Sequence, residues 1–160
     1  MAQREPIFIK DKEYAASKIP AFAANGIILK LQKLVLPVIG ELAGDGKSKA
    51  DVMNMDVSAA FQIISEKLDD SVMTEIVLPM FKMAQVASVT DNIKIDSAQA
   101  IDKVFQDADG LADLYELIYE VLRFNFGSFF TSLAARFGGK SGDLPAMEST
   151  RSASVRSPKN

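Results

Sequence analysis

The longest regular pattern of apolar positions lies near the end of the chain, over residues 111–137. Apolar side chains recur there every three or four residues and fill about half of a helical wheel. The opposite side of the wheel is acidic and carries Asp113, Glu116 and Glu120. Gly138-Gly139 follows, which is a typical end signal for a helix. The pattern therefore predicts one long amphipathic helix over residues 111–137.

Three earlier segments also have apolar residues at helical spacing. The first covers residues 20–43 and begins with Pro20, because the missing N–H of proline costs nothing in the first turn. Pro37 predicts a kink or break inside this helix. A second helix starts at Asp56 or Ser58 and reaches about residue 68. A third covers residues 72–86, where Pro79 should kink it or divide it in two.

Two further signals come before the long helix. Asp96 followed by Gln99 predicts the start of a short helix, since the two side chains can cap each other's backbone N–H groups. The acidic run from Asp107 to Gly110 then predicts a turn. Residues 92–95 are expected to form a short connector, which we predict to be extended.

The N-terminal residues 6–18 alternate weakly and predict a short β-hairpin. A two-stranded hairpin is not stable alone, so it must pack on the helical core. Residues 139–160 are rich in Ser, Arg, Gly and Pro and predict a disordered tail. The predicted fold class is therefore mainly α. We expect a compact multi-helix domain over residues 1–138, with a short N-terminal β-hairpin and a disordered C-terminal tail.

Composition narrows the range of functions. The chain has 160 residues, no cysteine and no histidine, and its formal net charge is −3. It therefore lacks the commonest general base, the commonest zinc ligands and a basic field for nucleic acid. The most apolar window, residues 27–39, contains charged residues and a proline and is too short to span a bilayer. No secretory signal is seen. These features predict a soluble intracellular protein that binds neither nucleic acid nor membrane.

Two short motifs resemble ligand sites and are rejected. The run Gly44-Asp45-Gly46-Lys47-Ser48 lacks the glycine spacing of a phosphate-binding loop and does not follow a strand. The acidic run at Asp107 and Asp109 lacks the glutamate that closes a calcium loop, because Ile118 occupies that position. The serines near the end of the chain have no histidine to activate them. We therefore expect no catalytic residue, no metal site, no cofactor and no enzymatic activity.

Two residues break the pattern of the long helix. Asn125 lies among apolar neighbours, where an amide needs a hydrogen-bond partner, so we predict that it ties the helix to a neighbouring backbone group. Phe124 lies beside the acidic face, between Leu117 and Glu120 on the wheel, where we expect it to be exposed. The methionines in the middle of the chain have two interpretations: they fill gaps in the core, or they form an adaptable binding surface. The predicted partner-binding residues are Phe124, Leu117, Glu120, Glu116, Met80 and Met83.

Three passages form a pattern that goes beyond helical spacing. The first consists of Tyr14, Lys18, Ile19 and Pro20, and the second of Leu31, Lys33, Leu34 and Pro37. The third and most specific passage consists of Val121, Asn125, Phe126, Gly127, Phe129 and Phe130. Together they resemble the tail assembly chaperone family of long-tailed bacteriophages. The resemblance covers most of residues 7–137, although residues 44–95 contribute little to it. In addition to Asn125, it marks Phe126, Gly127, Phe129 and Phe130 as structural residues.

The resemblance implies a small helical chaperone in the host cytoplasm that is absent from the mature virion. Such a protein binds the tape measure protein, keeps it soluble and helps recruit tail tube protein. Many members are also made in a longer, frameshifted form, and residues 137–140 are the candidate position for a frameshift here. That longer form and self-association are further possible partners. The alternative is a structural tail or connector subunit that is retained in the virion.

Overall fold

The computed structural model of the chain describes residues 3–44 and 57–138. The N-terminal hairpin consists of strands β1 (Arg4–Ile9) and β2 (Lys12–Ser17), which pair antiparallel with Ile7 opposite Tyr14. Lys10 begins the two-residue turn with a φ of 54°, in the left-handed region. The inward side chains of β1, Ile7 and Ile9, are buried, whereas Phe8 points outward and is 68% exposed. The predicted β-hairpin is confirmed.

Two further strands extend the hairpin into a sheet. Strands β3 (Ala87–Ser88) and β4 (Ile93–Lys94) have two residues each, and the strand order is β1-β2-β3-β4 with all neighbours antiparallel. We predicted only the hairpin, with an extended connector near residues 92–95. The connector forms β4 because β3, which is itself paired with β2, offers it an edge. This is an effect of tertiary structure, since the two segments are too short to show a pattern.

The first helix, α1 (Ala21–Gly44), follows the hairpin directly. The carbonyl oxygen of Pro20 accepts the first helical hydrogen bond, from the N–H of Ala24 at 2.9 Å, as expected for a proline at a helix start. Pro37 lies inside α1, and the helix continues past it without a break. The next helix, α2 (Val57–Glu66), begins at the first residue described after the gap. Asp56, one of its predicted caps, lies outside the described residues.

The third helical run is divided near its proline, as predicted. It consists of α3 (Asp70–Val72), a π-helical turn (Met73–Val77) and α4 (Leu78–Met83). The N–H of Leu78 donates to the carbonyl oxygen of Met73, five residues earlier. Because Pro79 has no N–H and its ring collides with a regular preceding turn, the wider π turn accommodates it. The run ends at Met83 and not at residue 86, since Gln85 has a φ of 49°.

Two helices complete the described chain, α5 (Ala98–Val104) and α6 (Gly110–Gly138). Ser97 caps α5 by accepting a hydrogen bond from the N–H of Ala100 at 3.2 Å. The long helix α6 packs against both α2 and β1, whereas α1 packs against α2, the π turn and α4. A single buried cluster joins the inner face of the sheet to these helices. The mainly helical fold with an N-terminal hairpin is confirmed. The predicted disordered tail, residues 139–160, lies outside the described residues.

Candidate partner-binding surface

Two of the predicted partner-binding residues are not on the surface. Leu117 and Met80 are both completely buried. Leu117 is covered because α6 contacts α2 and β1 at the same time, and Met80 is covered because α4 packs on α1. The prediction that they face a partner is therefore corrected, and Met80 fills the core. Glu116 and Met83 are exposed, and Glu120 forms an ion pair with Arg123 at 2.7 Å.

Phe124 is half-buried against the core and has a partner within the chain. The ammonium group of Lys18 lies 4.3 Å from the centre of the Phe124 ring, within the range of a cation–π interaction. The same ammonium also donates a hydrogen bond to the carbonyl oxygen of Phe124. The predicted exposure of Phe124 is therefore only partial, because Lys18 and the core cover part of the ring.

The next residue, Asn125, contacts the same segment. Its Oδ1 accepts a hydrogen bond from the backbone N–H of Ile19 at 2.8 Å, and its Nδ2 donates to the carbonyl oxygen of Val121 at 3.2 Å. The preceding N–H groups, those of Ser17 and Lys18, donate to the carbonyl oxygens of Ala84 and Gln3. Residues 17–19 therefore join the residue before β1, the residue after α4 and the middle of α6. Two of the three passages that carry the family resemblance meet here.

The remaining predicted structural residues line α6 beyond this junction. Phe126 is buried, and Gly127 and Phe129 are half-buried. The side chain of Phe130 lies outside the part that the structure describes. The placement of Phe126 and Phe129 against the core agrees with a packing role.

The acidic run before α6 is held by the hairpin. Lys10 Nζ lies 2.7 Å from Asp113 and 3.4 Å from Asp109, and Lys12 Nζ lies 3.4 Å from Asp107. The hydrogen bond to Asp113 raises the pKa of Lys10. Within residues 3–44 and 57–138, no group of acidic side chains could hold a metal ion. The carboxylates of this run therefore serve as lysine partners.

The clearest exposed apolar surface is on α1, opposite its buried side. Phe22 is 97% exposed and Leu29 is 51% exposed, whereas Ile27, Leu31 and Val35 on the other side are buried. An exposed helix face normally carries polar residues. We define the α1 outer face as four residues that follow one line along the helix: Phe22, Gly26, Leu29 and Lys33.

The α1 outer face is basic and has a depression in its middle. A Cβ atom added at Gly26 would meet no atom within 4 Å, so there is open space at this position between Phe22 and Leu29. Lys30 flanks this line and donates to the carbonyl oxygen of Glu75 at 3.0 Å. Residues 21–37 contain no acidic residue. The α1 outer face therefore combines exposed apolar groups with positive charge.

A second exposed region is the outer face of the sheet. A shallow groove of about 600 Å³ lies there, with small and apolar residues on its floor and charges of both signs around it. Its lining includes Arg4, Pro6, Glu13, Ala15, Ala87 and Lys94. Pro6 lies in the edge strand β1, where it removes an N–H that an added strand would need. This groove is lined by charged residues of both signs, whereas the α1 outer face carries positive charge alone.

The sequence analysis missed Phe22 and Leu29. The signal was present, because both residues lie about half a turn away from Ile27 and Leu31 on the wheel of α1. The pattern of α1 indicates its buried face, but it does not show whether the apolar residues outside that face are covered. When a helix has apolar residues on both sides, the side that faces away from the core is a candidate for contact with a partner.

Comparisons with known proteins identify the family. Within the described residues, no helix is long and apolar enough to cross a membrane. Neither a curated protein nor a solved structure matches the chain. A family model described as phage tail assembly chaperone protein, TAC, matches residues 10–138. This match includes α1, the whole junction at residues 17–19 and the long helix α6. The chain therefore belongs to the phage tail assembly chaperone family.

Proposed function

We propose that this tail assembly chaperone binds the tape measure protein, keeps it soluble and helps recruit tail tube subunits. It acts in the host cytoplasm and leaves before the virion matures. The observation that carries the proposal is the α1 outer face, where Phe22 is 97% exposed in a member of this family. Contiguous exposed apolar surface on a soluble protein typically marks a site of interaction.

The chemistry of the partner explains why such a surface is useful. A long, largely apolar chain aggregates when it is left uncovered, so its chaperone must offer apolar contacts and remain soluble itself. The α1 outer face supplies apolar contacts through Phe22 and Leu29. The net charge of −3 favours solubility.

The mode of action in this proposal is stoichiometric holding. The family role is not enzymatic. The run at residues 44–48, rejected as a phosphate-binding loop because of its glycine spacing, lies mostly outside the described part of the chain. We therefore propose that binding and release follow the order of assembly, with tail tube subunits displacing the chaperone, and need no cofactor.

Co-expression tests this function. The tape measure protein of the same phage is expressed alone and together with the chaperone, and its soluble fraction is measured. We expect it to precipitate alone and to co-purify in soluble form with the chaperone. Equal solubility in both cases, with no co-purification, would overturn the proposal.

The composition of purified virions decides between the proposal and a structural subunit. A chaperone that leaves during assembly is absent from the particle, whereas a tail or connector subunit is present in many copies. Quantitative mass spectrometry of purified virions distinguishes the two. Stoichiometric amounts of this chain in the particle would favour the structural subunit.

A further inference from the structure

We propose that the α1 outer face receives one amphipathic α-helix of the tape measure protein whose apolar stripe is flanked by acidic residues. This inference deepens the proposed function and rests on it for the identity of the partner. It adds the surface that binds and the chemical class of the segment that is bound. Three features of α1 support it: spacing, shape and charge.

The spacing of the α1 outer face fits a helix. Phe22, Gly26, Leu29 and Lys33 are four, three and four residues apart, which is the spacing of a seam between two packed helices. Residues 22–33 extend about 17 Å along α1 at about 1.5 Å per residue. A partner helix with apolar residues at the same spacing can follow the seam over this length.

The shape of the face also suits a helix. At Gly26 the surface lies open, with no atom within 4 Å of an added Cβ atom, while the exposed side chains of Phe22 and Leu29 lie on either side of it. A small residue between two large ones lets a partner side chain enter between them and lets the two backbones approach closely. The depression at Gly26 is therefore the expected place for one apolar side chain of the partner.

Charge selects an acidic partner. Lys33 is exposed and makes no ion pair or hydrogen bond among the described residues. Lys30 lies on the flank, and within the described part of the chain its ammonium has the carbonyl oxygen of Glu75 as its one partner. Since residues 21–37 contain no acidic side chain, neither lysine has a carboxylate within four residues along the helix, the spacing at which helical side chains meet. Acidic residues beside the apolar stripe of a partner helix would supply it.

A second copy of the chain is a poorer occupant. The other long helix, α6, is acidic near its start, but most of these carboxylates already have partners. Asp109 and Asp113 pair with Lys10, and Glu120 pairs with Arg123. Among the described acidic residues of α6, Glu116 is left without a salt bridge. The α6 helix of a second copy therefore offers only one described carboxylate without an ion pair, which favours a different protein as the source of the acidic charge.

Binding of designed peptides to the full-length chain tests the inference. The first peptide is an amphipathic helix of about four heptads, with leucines on its stripe and glutamates on both flanks. The control peptide has the same sequence with lysines in place of the glutamates. We expect the wild-type chain to bind the acidic peptide and to discriminate against the basic one. Equal binding of both peptides, or no binding of the acidic one, would overturn the inference.

Two variants locate the binding surface. Gly26→Leu adds a side chain at a position where the Cβ atom has open space around it, so the fold should persist while binding of the acidic peptide is lost. Its matched control is Ala112→Leu, which adds the same side chain at an exposed position of α6. Lys33→Glu should weaken binding of the acidic peptide about five-fold, because it turns an exposed ion pair into a repulsion. Lys82→Glu, an exposed lysine in α4, is its control.

Repeating the variants with the tape measure protein separates the two proposals. If the chaperone keeps this protein soluble and Gly26→Leu has no effect, the function stands and the surface is wrong. If the acidic peptide binds to α1 but the tape measure protein is not held, the surface stands and the proposed partner is wrong. If wild type is an oligomer that Gly26→Leu dissociates, a second copy occupies the face and the inference is overturned.

Discussion

The side chain of Asn125 accepts a hydrogen bond from the backbone N–H of Ile19 at 2.8 Å, across 106 residues of sequence. This bond fixes the middle of α6 to the segment between β2 and α1. Ile19 is buried, so its N–H cannot exchange this partner for water. The contact explains why an amide lies among apolar residues.

Replacement of Asn125 tests that explanation. Asn125→Leu leaves the N–H of Ile19 buried without an acceptor, so the free energy of unfolding should fall by about 1–3 kcal/mol. Urea denaturation followed by circular dichroism measures the change. Ser128→Leu, at an exposed position of the same helix, is the control and should change stability little. If Asn125→Leu is as stable as wild type, Asn125 has no structural role.

The contact between Lys18 and Phe124 predicts an energetic coupling. A double-mutant cycle with Lys18→Met and Phe124→Leu removes the ammonium and the ring separately and together. Because the ammonium lies 4.3 Å from the ring centre, the coupling energy should be about 0.5–1 kcal/mol in favour of the pair. Additive effects of the two substitutions on unfolding would show that the ring is free, which would restore Phe124 as a candidate for partner binding.

Tyr14 predicts a loss of stability at alkaline pH. Its ring is buried and stacks on Phe105 with ring centres 5.8 Å apart. Burial, together with nearby aspartates, raises the pKa of Tyr14 from 10.0 to about 12. Between these values the unfolded chain ionises while the folded chain holds its proton. The stabilisation is therefore complete below pH 10 and is lost as the pH rises through 12.

Measurement of thermal unfolding between pH 8 and pH 12 checks this for wild type and Tyr14→Phe. The variant lacks the ionising group, so its stability should fall less steeply than that of wild type above about pH 10. Tyr115→Phe, at a half-buried position of α6, is the matched control. Parallel curves for wild type and Tyr14→Phe would contradict the prediction.

Two helical glycines should respond to alanine in opposite directions. Gly26 has open space around it, so Gly26→Ala should stabilise the fold by about 0.5–1 kcal/mol through helix propensity. At Gly110 an added Cβ would lie 1.9 Å from the carbonyl oxygen of Phe105. Gly110→Ala must therefore displace backbone at the start of α6 and should destabilise the protein. Melting temperatures of the two variants that shift in the same direction would contradict this account.

The long elements were predictable because their patterns are local. The apolar spacing of α1 and α6, and the signals at Pro20 and Pro79, depend on residues near each other in sequence. Strands β3 and β4 were not predictable, since two residues carry no periodicity and the strands exist because β2 offers an edge. Their formation depends on tertiary structure.

The candidate site was also hard to predict, because the exposure of its residues depends on tertiary structure. A helical wheel places residues on a side of a helix but does not show what packs there. Leu117 lies beside Phe124 on the wheel of α6, yet it is buried, whereas Phe22 on α1 is exposed. Lys18 reaches Phe124 from 106 residues away. The exposure of these side chains therefore depends on how the helices pack together. The pattern of a single helix does not indicate that arrangement.

Matched phenylalanine substitutions test whether the α1 outer face holds the tape measure protein. Phe22→Ala changes the α1 outer face, while Phe8→Ala changes the outer face of the sheet, where Phe8 is 68% exposed. The measurement is the soluble fraction of co-expressed tape measure protein. We expect the tape measure protein to be insoluble with the Phe22→Ala variant and as soluble with the Phe8→Ala variant as with wild type. Full solubility with a folded Phe22→Ala variant would contradict the account.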